Sequence, residues 1–229
     1  MLEYLHNANH AINKNISFLD VLAEERAIMH CLHFRITELY TGFLHTLEAK
    51  YWLTALSAAR NCVETIAYAI YYIDEFKIAL TLPENETMTA INDLRIKYTL
   101  AQRNKDKHKI AKDGLPKHGI NPEKTITTKI SDQLKKCTEL GYPIIEELYN
   151  YLTEYAHPSA TSTYIFYTII DPNNSITLDQ NLYPTFGESK EIRILKDKMK
   201  AAIHTFSGSY QQFIDTYLLS AQRIILLTQ

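Results

Sequence analysis

Apolar residues recur at intervals of three and four from about Asn15 to Leu47: Ile16, Leu19, Leu22, Ala23, Met29, Leu32, Ile36, Leu39, Phe43 and Leu44. That period describes a helix with one buried face, and the charged residues between them fall on its other side. A second helix is expected from just after Glu48 to about Phe76. There Trp52, Leu53, Leu56, Ala59, Val63, Ile66, Ala67 and Ile70 form a stripe wide enough for a bundle interior. The run TLPENET ends it. A third helix, about Met88 to Lys112, starts with Ile91, Leu94 and Tyr98 and turns strongly polar from Gln102, so its second half is expected to leave the core.

Turn-forming residues then dominate 112–128, in the run DGLPKHGINPEKTITT, which reads as an exposed loop. Helix is expected again from Ser131, placed as an N-cap, through a break near Gly141 to Pro143 and on to His157, where Pro158 stops it. TSTYIFYTII and SITLD, on either side of DPNN, are β-prone runs around a turn and predict a small hairpin over about 162–180. From Ser189 to Leu227 the helical period returns with Ile192, Leu195, Met199, Ile203, Phe206, Phe213, Tyr217 and Leu218, and Gly208 is a candidate kink. The expected fold is mainly α: one domain spanning 1–229, a bundle of five or six helices with the hairpin before the C-terminal helix.

Composition agrees with long helices and short connectors. In 229 residues there are only six Gly and seven Pro, and the prolines lie between the periodic segments. A chain of this length can bury a core without disulfide or metal staples. The formal net charge of −2 argues against a histone-like, globally basic nucleic-acid binder, though it leaves local patches open. Cys31, Cys62 and Cys137 are scattered and odd in number, which fits a reducing cytoplasm better than a disulfide framework or a zinc module. No signal-peptide pattern opens the sequence and no uncharged apolar stretch is long enough to span a bilayer, so a cytoplasmic chain without membrane association is expected.

Candidate chemistry is concentrated in two helices. Arg60 and Glu64 stand one turn apart on one face, inside RNCVETIAYAIYY, and Tyr151, Glu154, Tyr155 and His157 crowd the end of another helix. A guanidinium partly buried in a bundle requires a carboxylate, so these residues form either an internal ion-pair cluster or the wall of a ligand or catalytic pocket. His157 at a helix C-terminus is suited to capping as well as to proton transfer. Glu154 and His157 also form a Glu-x-x-His pair, but a carboxylate-bridged di-metal bundle needs a second such motif and the chain has none, so no metal and no cofactor are expected. Phosphate-binding glycine loops, serine elbows and HExxH helices are absent from the sequence.

A second constellation is RNKDKH, Arg103 to His108, within a basic tract that includes Lys105, Lys107, Lys109, Lys112 and Lys117. Its spacing resembles the R-x(4 to 6)-H motif of the HEPN superfamily, helical-bundle proteins that include metal-independent RNases and toxins. The same spacing occurs at Arg26 to His33. By that resemblance Arg103, Asn104 and His108 would meet at a homodimer cleft, where the arginine would stabilise a charged phosphorane and the histidine would move a proton from a 2′-hydroxyl. The Arg60–Glu64 helix, with the later Tyr-rich helix ending His157-Pro158-Ser159, also resembles bacterial all-helical proteins of unknown function placed near HEPN domains. Together the resemblances imply a HEPN-like protein that engages RNA or a partner protein, with endoribonuclease activity in a defence or toxin context. The alternative is a non-enzymatic interaction module whose Arg60, Glu64 and His157 are structural.

Overall fold

A computed structural model describes residues 18–100, 129–156, 167–169, 176–178 and 189–227. Among them the chain is mainly helical, with six helices: α1 Phe18–Glu48, α2 Trp52–Leu80, α3 Glu84–Leu100, α4 Ile130–Glu139, α5 Pro143–Ala156 and α6 Lys190–Leu227. Strands β1 Tyr167–Ile169 and β2 Ile176–Leu178 pair antiparallel, with Thr168 opposite Thr177. The rest of the 162–180 range, and the 112–128 loop, lie outside the described residues. None of the described helices is long and apolar enough to cross a membrane.

Helix ends follow local backbone chemistry. After α4, Gly141 takes φ +87°, the Tyr142 N–H donates to Cys137 O at 2.8 Å and the Gly141 N–H donates to Thr138 O at 3.0 Å. This is the paired C-terminal motif that satisfies the last carbonyls of a helix, and Pro143 then opens α5 where its missing N–H is not needed. The same two bonds close α1: Tyr51 N–H to Thr46 O at 2.8 Å and Lys50 N–H to Leu47 O at 3.1 Å. Here the left-handed position is filled by Lys50, at φ 63°, rather than by glycine. At the start of α6 the Ser189 hydroxyl accepts the Ile192 N–H at 3.3 Å, as an N-cap should. Ser131, by contrast, is not the cap of α4. That helix begins one residue earlier, at Ile130, with the Lys129 carbonyl accepting the first helical N–H bonds.

The chain divides into two compact units. One takes its described residues from 18–29, 70–100, 129–133 and 209–227, and is packed around Leu22, Met29, Ile73, Phe76, Ile91, Leu94 and Phe213. Phe76 and Phe213 meet there with ring centroids 5.3 Å apart. The other unit takes 30–69, 134–156, 167–169, 176–178 and 189–208, with Ile36, Phe43, Trp52, Leu56, Ile66, Leu148, Leu152, Met199 and Phe206 in its core. Helix α2 is buried on most of its circumference. Its alanines at 55, 59, 67, 69 and 79 are buried, which lets neighbouring backbones come close.

Three details of the periodicity reading are corrected. Leu53 and Leu218, counted among the apolar stripes, are 47% and 50% exposed, and Ala23, counted in the first stripe, is exposed as well. Each follows a less exposed residue by one position, Leu22 before Ala23, Trp52 before Leu53 and the half-buried Tyr217 before Leu218, and a 100° step turns it outward. Gly208 lies inside the continuous helix α6. A side chain on Gly208 would meet open space, so nothing in its surroundings demands the missing Cβ. The strained position is Lys50. Replacing Lys50 with glycine is expected to raise stability by about 0.5–1 kcal/mol, read as a higher urea midpoint with an unchanged slope.

Candidate functional site: two polar clusters in a helical core

Arg60 lies on α2 with its side chain 17% exposed, between Glu64 on the same helix and two residues of α5. Its Nη2 is 3.0 Å from Glu64 Oε1 and donates to the Tyr149 hydroxyl at 2.9 Å, while Nε donates to Thr153 Oγ1 at 3.4 Å. The guanidinium carbon also stands 5.1 Å from the centre of the Tyr149 ring, within cation–π range. The charge and the Nε and Nη2 donors are therefore met from two helices. The arrangement fastens α5 to α2 through a polar contact on the flank of their apolar seam, where Ile145, Leu148 and Leu152 are fully buried.

The aromatic partner of Arg60 is thus Tyr149, not Tyr151 or Tyr155. Residues 149 and 153 share one face of α5, and a two-residue step rotates Tyr151 and Tyr155 by 200° to another. Those two pack on each other with centroids 5.0 Å apart. Burial pushes the Tyr151 hydroxyl well above the ordinary tyrosine value, its hydrogen bond with Tyr155 adds to this, and Glu191 at the start of α6 adds further. Tyr151 is therefore neutral at physiological pH, and its role is packing and hydrogen bonding. A signal for Tyr149 is present in the sequence: it lies four residues after Ile145 and three before Leu152, on the edge of the buried stripe.

His157, Arg103, Asn104 and His108 lie outside the described residues. Glu154 is exposed, and among the described residues no three His, Cys, Asp or Glu side chains come together as a metal site. The three cysteines differ in environment. Cys31 is exposed, whereas Cys62 and Cys137 are buried and donate to the carbonyls of Ile36 and Ala67, at 3.7 and 3.8 Å. Burial pushes both thiols up to about 12, with Glu146 contributing at Cys137.

A more deeply buried cluster has no counterpart among the sequence expectations. Glu25 on α1 is wholly excluded from solvent. Its Oε1 accepts from Arg95 Nε of α3 at 2.5 Å, and its Oε2 accepts from the hydroxyl of Tyr72 on α2, itself fully buried. Arg95 Nη1 reaches on to Glu24 Oε2 at 2.7 Å, and the Glu24 side chain is 45% exposed. Burial raises the Glu25 carboxyl above its ordinary range, Arg95 and the Tyr72 hydrogen bond pull it back, and Glu24 adds a smaller upward push. Periodicity alone points to Glu25, three residues after Leu22 and three before Ile28. Arg95 likewise follows Ile91 by four. Residue type works against that signal, because a charged side chain is normally assigned to the outer face.

No protein-family model matches the chain, and no curated protein or solved structure matches it. Tyr149→Phe should cost about 1.5–2 kcal/mol, the low end for a hydrogen bond from a charged donor because the contact is only part-buried. Tyr149→Leu should cost more because the ring face is lost as well; paired urea titrations give the difference. With a thiol reagent at pH 8 the folded protein is expected to react at Cys31 alone, and all three cysteines should react once it is denatured.

Proposed function

We propose that this chain is a HEPN-like helical protein that binds RNA as a homodimer, with Arg103, Asn104 and His108 as the residues that meet the nucleic acid. Support comes from the mainly helical build, from the basic tract between Arg103 and Lys117, and from the docking of the Arg60–Glu64 helix on the Tyr-rich helix. The hairpin expected over 162–180 belongs to the same proposal, as does a role in bacterial defence or a toxin system.

The observation that carries most weight concerns where chemistry does not reside. Arg60 directs Nε at Thr153 and Nη2 at Tyr149 and Glu64, all within its own cluster. A residue held in this way is better suited to positioning α5 than to stabilising a phosphorane, which would have to compete with a carboxylate already 3.0 Å away. RNA contact is therefore assigned to the basic tract, where lysines would neutralise phosphates and give binding a steep salt dependence. Metal-independent cleavage by Arg103 and His108 is the enzymatic form of this proposal, the arginine countering charge on the phosphorane and the histidine moving the 2′-hydroxyl proton.

A protein partner is the second reading. It is favoured by large apolar side chains left at the surface, among them Phe34 at 65% exposure and the adjacent Leu218 and Leu219 at 50% and 67%.

The test is fluorescence anisotropy and cleavage of a mixed pool of single-stranded and structured RNAs by metal-free protein. Binding is expected for the wild type, with loss in Arg103→Ala/His108→Ala and retention in Tyr149→Phe, which disturbs only the Arg60 cluster. Wild-type protein that neither binds nor cuts RNA at low salt would remove the RNA reading and leave the interaction module.

A further inference from the structure

The first half of α6 keeps its cations on the side away from the core. Ile192, Leu195, Met199 and Phe206 are buried, while on the opposite face Lys190, Arg193, Lys200 and His204 are exposed and Lys196 is half-buried at the edge. Between 190 and 200 the helix holds five cations against two acids, in a chain whose formal net charge is −2. Of the two acids, Glu191 acts on Tyr151 of α5, and Asp197 alone falls among the outer cations.

The neighbouring helix could supply more acid. Helix α5 carries Glu146, Glu147 and Glu154 and no lysine or arginine, and Glu147 Oε2 stands 3.4 Å from Lys198 Nζ, on the flank of α6 that faces it. Arg193 has a contact of its own, whereas among the described residues no carboxylate is paired with Lys190, Lys196 or Lys200. These three do not serve the stability of the helix. Lys196 and Lys200 are like charges one turn apart, and Lys190 places a cation in the first turn, against the helix dipole.

We propose that this outer face of α6 is a second nucleic-acid contact, along which the phosphate backbone of an RNA strand lies. It rests on the RNA reading above and extends the footprint beyond the Arg103 to Lys117 tract. Charge complementarity and length select the occupant. Lys190 and Lys200 are about 15 Å apart along the axis, so one small anion cannot reach both, whereas a strand presents a row of phosphates. A lipid surface fits less well, because the apolar face of α6 is already buried in the core and has nothing left to insert.

Anisotropy titrations of a single-stranded RNA over a range of salt concentrations test this. Full-length wild type is compared with Lys196→Gln/Lys200→Gln and with a control of equal charge, Lys50→Gln/Lys135→Gln, at exposed positions outside α6. The α6 variant is expected to bind more weakly, and the slope of log affinity against log salt should flatten by about 0.7 for each lysine that meets a phosphate. Its urea midpoint should equal or exceed that of the wild type, and the control should keep the wild-type slope. If wild type and α6 variant share one slope, or the control flattens as much, the α6 contact is overturned and the RNA reading stands. Wild type that binds no RNA at low salt overturns both. Weaker binding with an unchanged slope and a lowered urea midpoint would make the lysines structural and overturn the contact, as would a loss confined to phosphatidylserine vesicles.

Discussion

A carboxylate with no solvent exposure constrains everything around it. Glu25 cannot sit in the core beside Leu22 and Met29 unless its oxygens are met, and they are met from two further helices, by Tyr72 and Arg95. That requirement ties α1, α2 and α3 at one point in a way that apolar contact does not, since hydrophobic burial tolerates sliding and rotation but a charge-assisted hydrogen bond does not. Removing one partner would leave an uncompensated charge, at a cost of several kcal/mol. Replacing all the partners with well-packed apolar residues would not carry the same penalty, so the cluster is better understood as specifying where α3 lies than as adding net stability.

Arg60 follows the same rule at a shallower depth. Its partners lie on the edge of the α2–α5 seam, where partial exposure softens both the desolvation penalty and the Coulombic gain. A ring face, a hydroxyl and a carboxylate share one guanidinium there, and the planar fork of arginine suits that geometry better than a lysine would. The two clusters thus solve one problem with different stakes. Around Glu25, solvation has been given up and pairing must be complete; around Arg60, water still contributes.

How far the fold was legible depended on the strength of each local signal. The α2 stripe was readable because nearly every third and fourth residue from Ala55 to Phe76 is apolar and buried. The boundary at Gly141–Pro143 was readable because glycine takes the left-handed position and proline opens the next helix. The α1 boundary near Glu48 was readable where one apolar stripe gives way to the next, but its backbone motif puts Lys50 in the strained place, of which residue type gave no warning. At the candidate site, Arg60 with Glu64 was visible as an i,i+4 pair on one helix. Tyr149 and Thr153 were not identified, because which face of α5 meets Arg60 is set by how two helices rotate about their axes as their cores interlock.

By itself the sequence determined the helical character of the chain, most helix boundaries, and the residues whose side chains must leave water. These are properties of local backbone preference and of apolar periodicity, both written in neighbours within a few positions. Only the tertiary structure decided which charged side chains are buried and with whom. Glu25 finds Arg95 across 70 residues and Tyr72 across 47, and Arg60 finds Tyr149 across 89. A pairing at such separation depends on the register and rotation of packed helices, and many sequences with the same period would place those charges on the solvated side. The acid strength of Glu25 is a property of the assembled core, since the same residue in an open chain would titrate as any other glutamate.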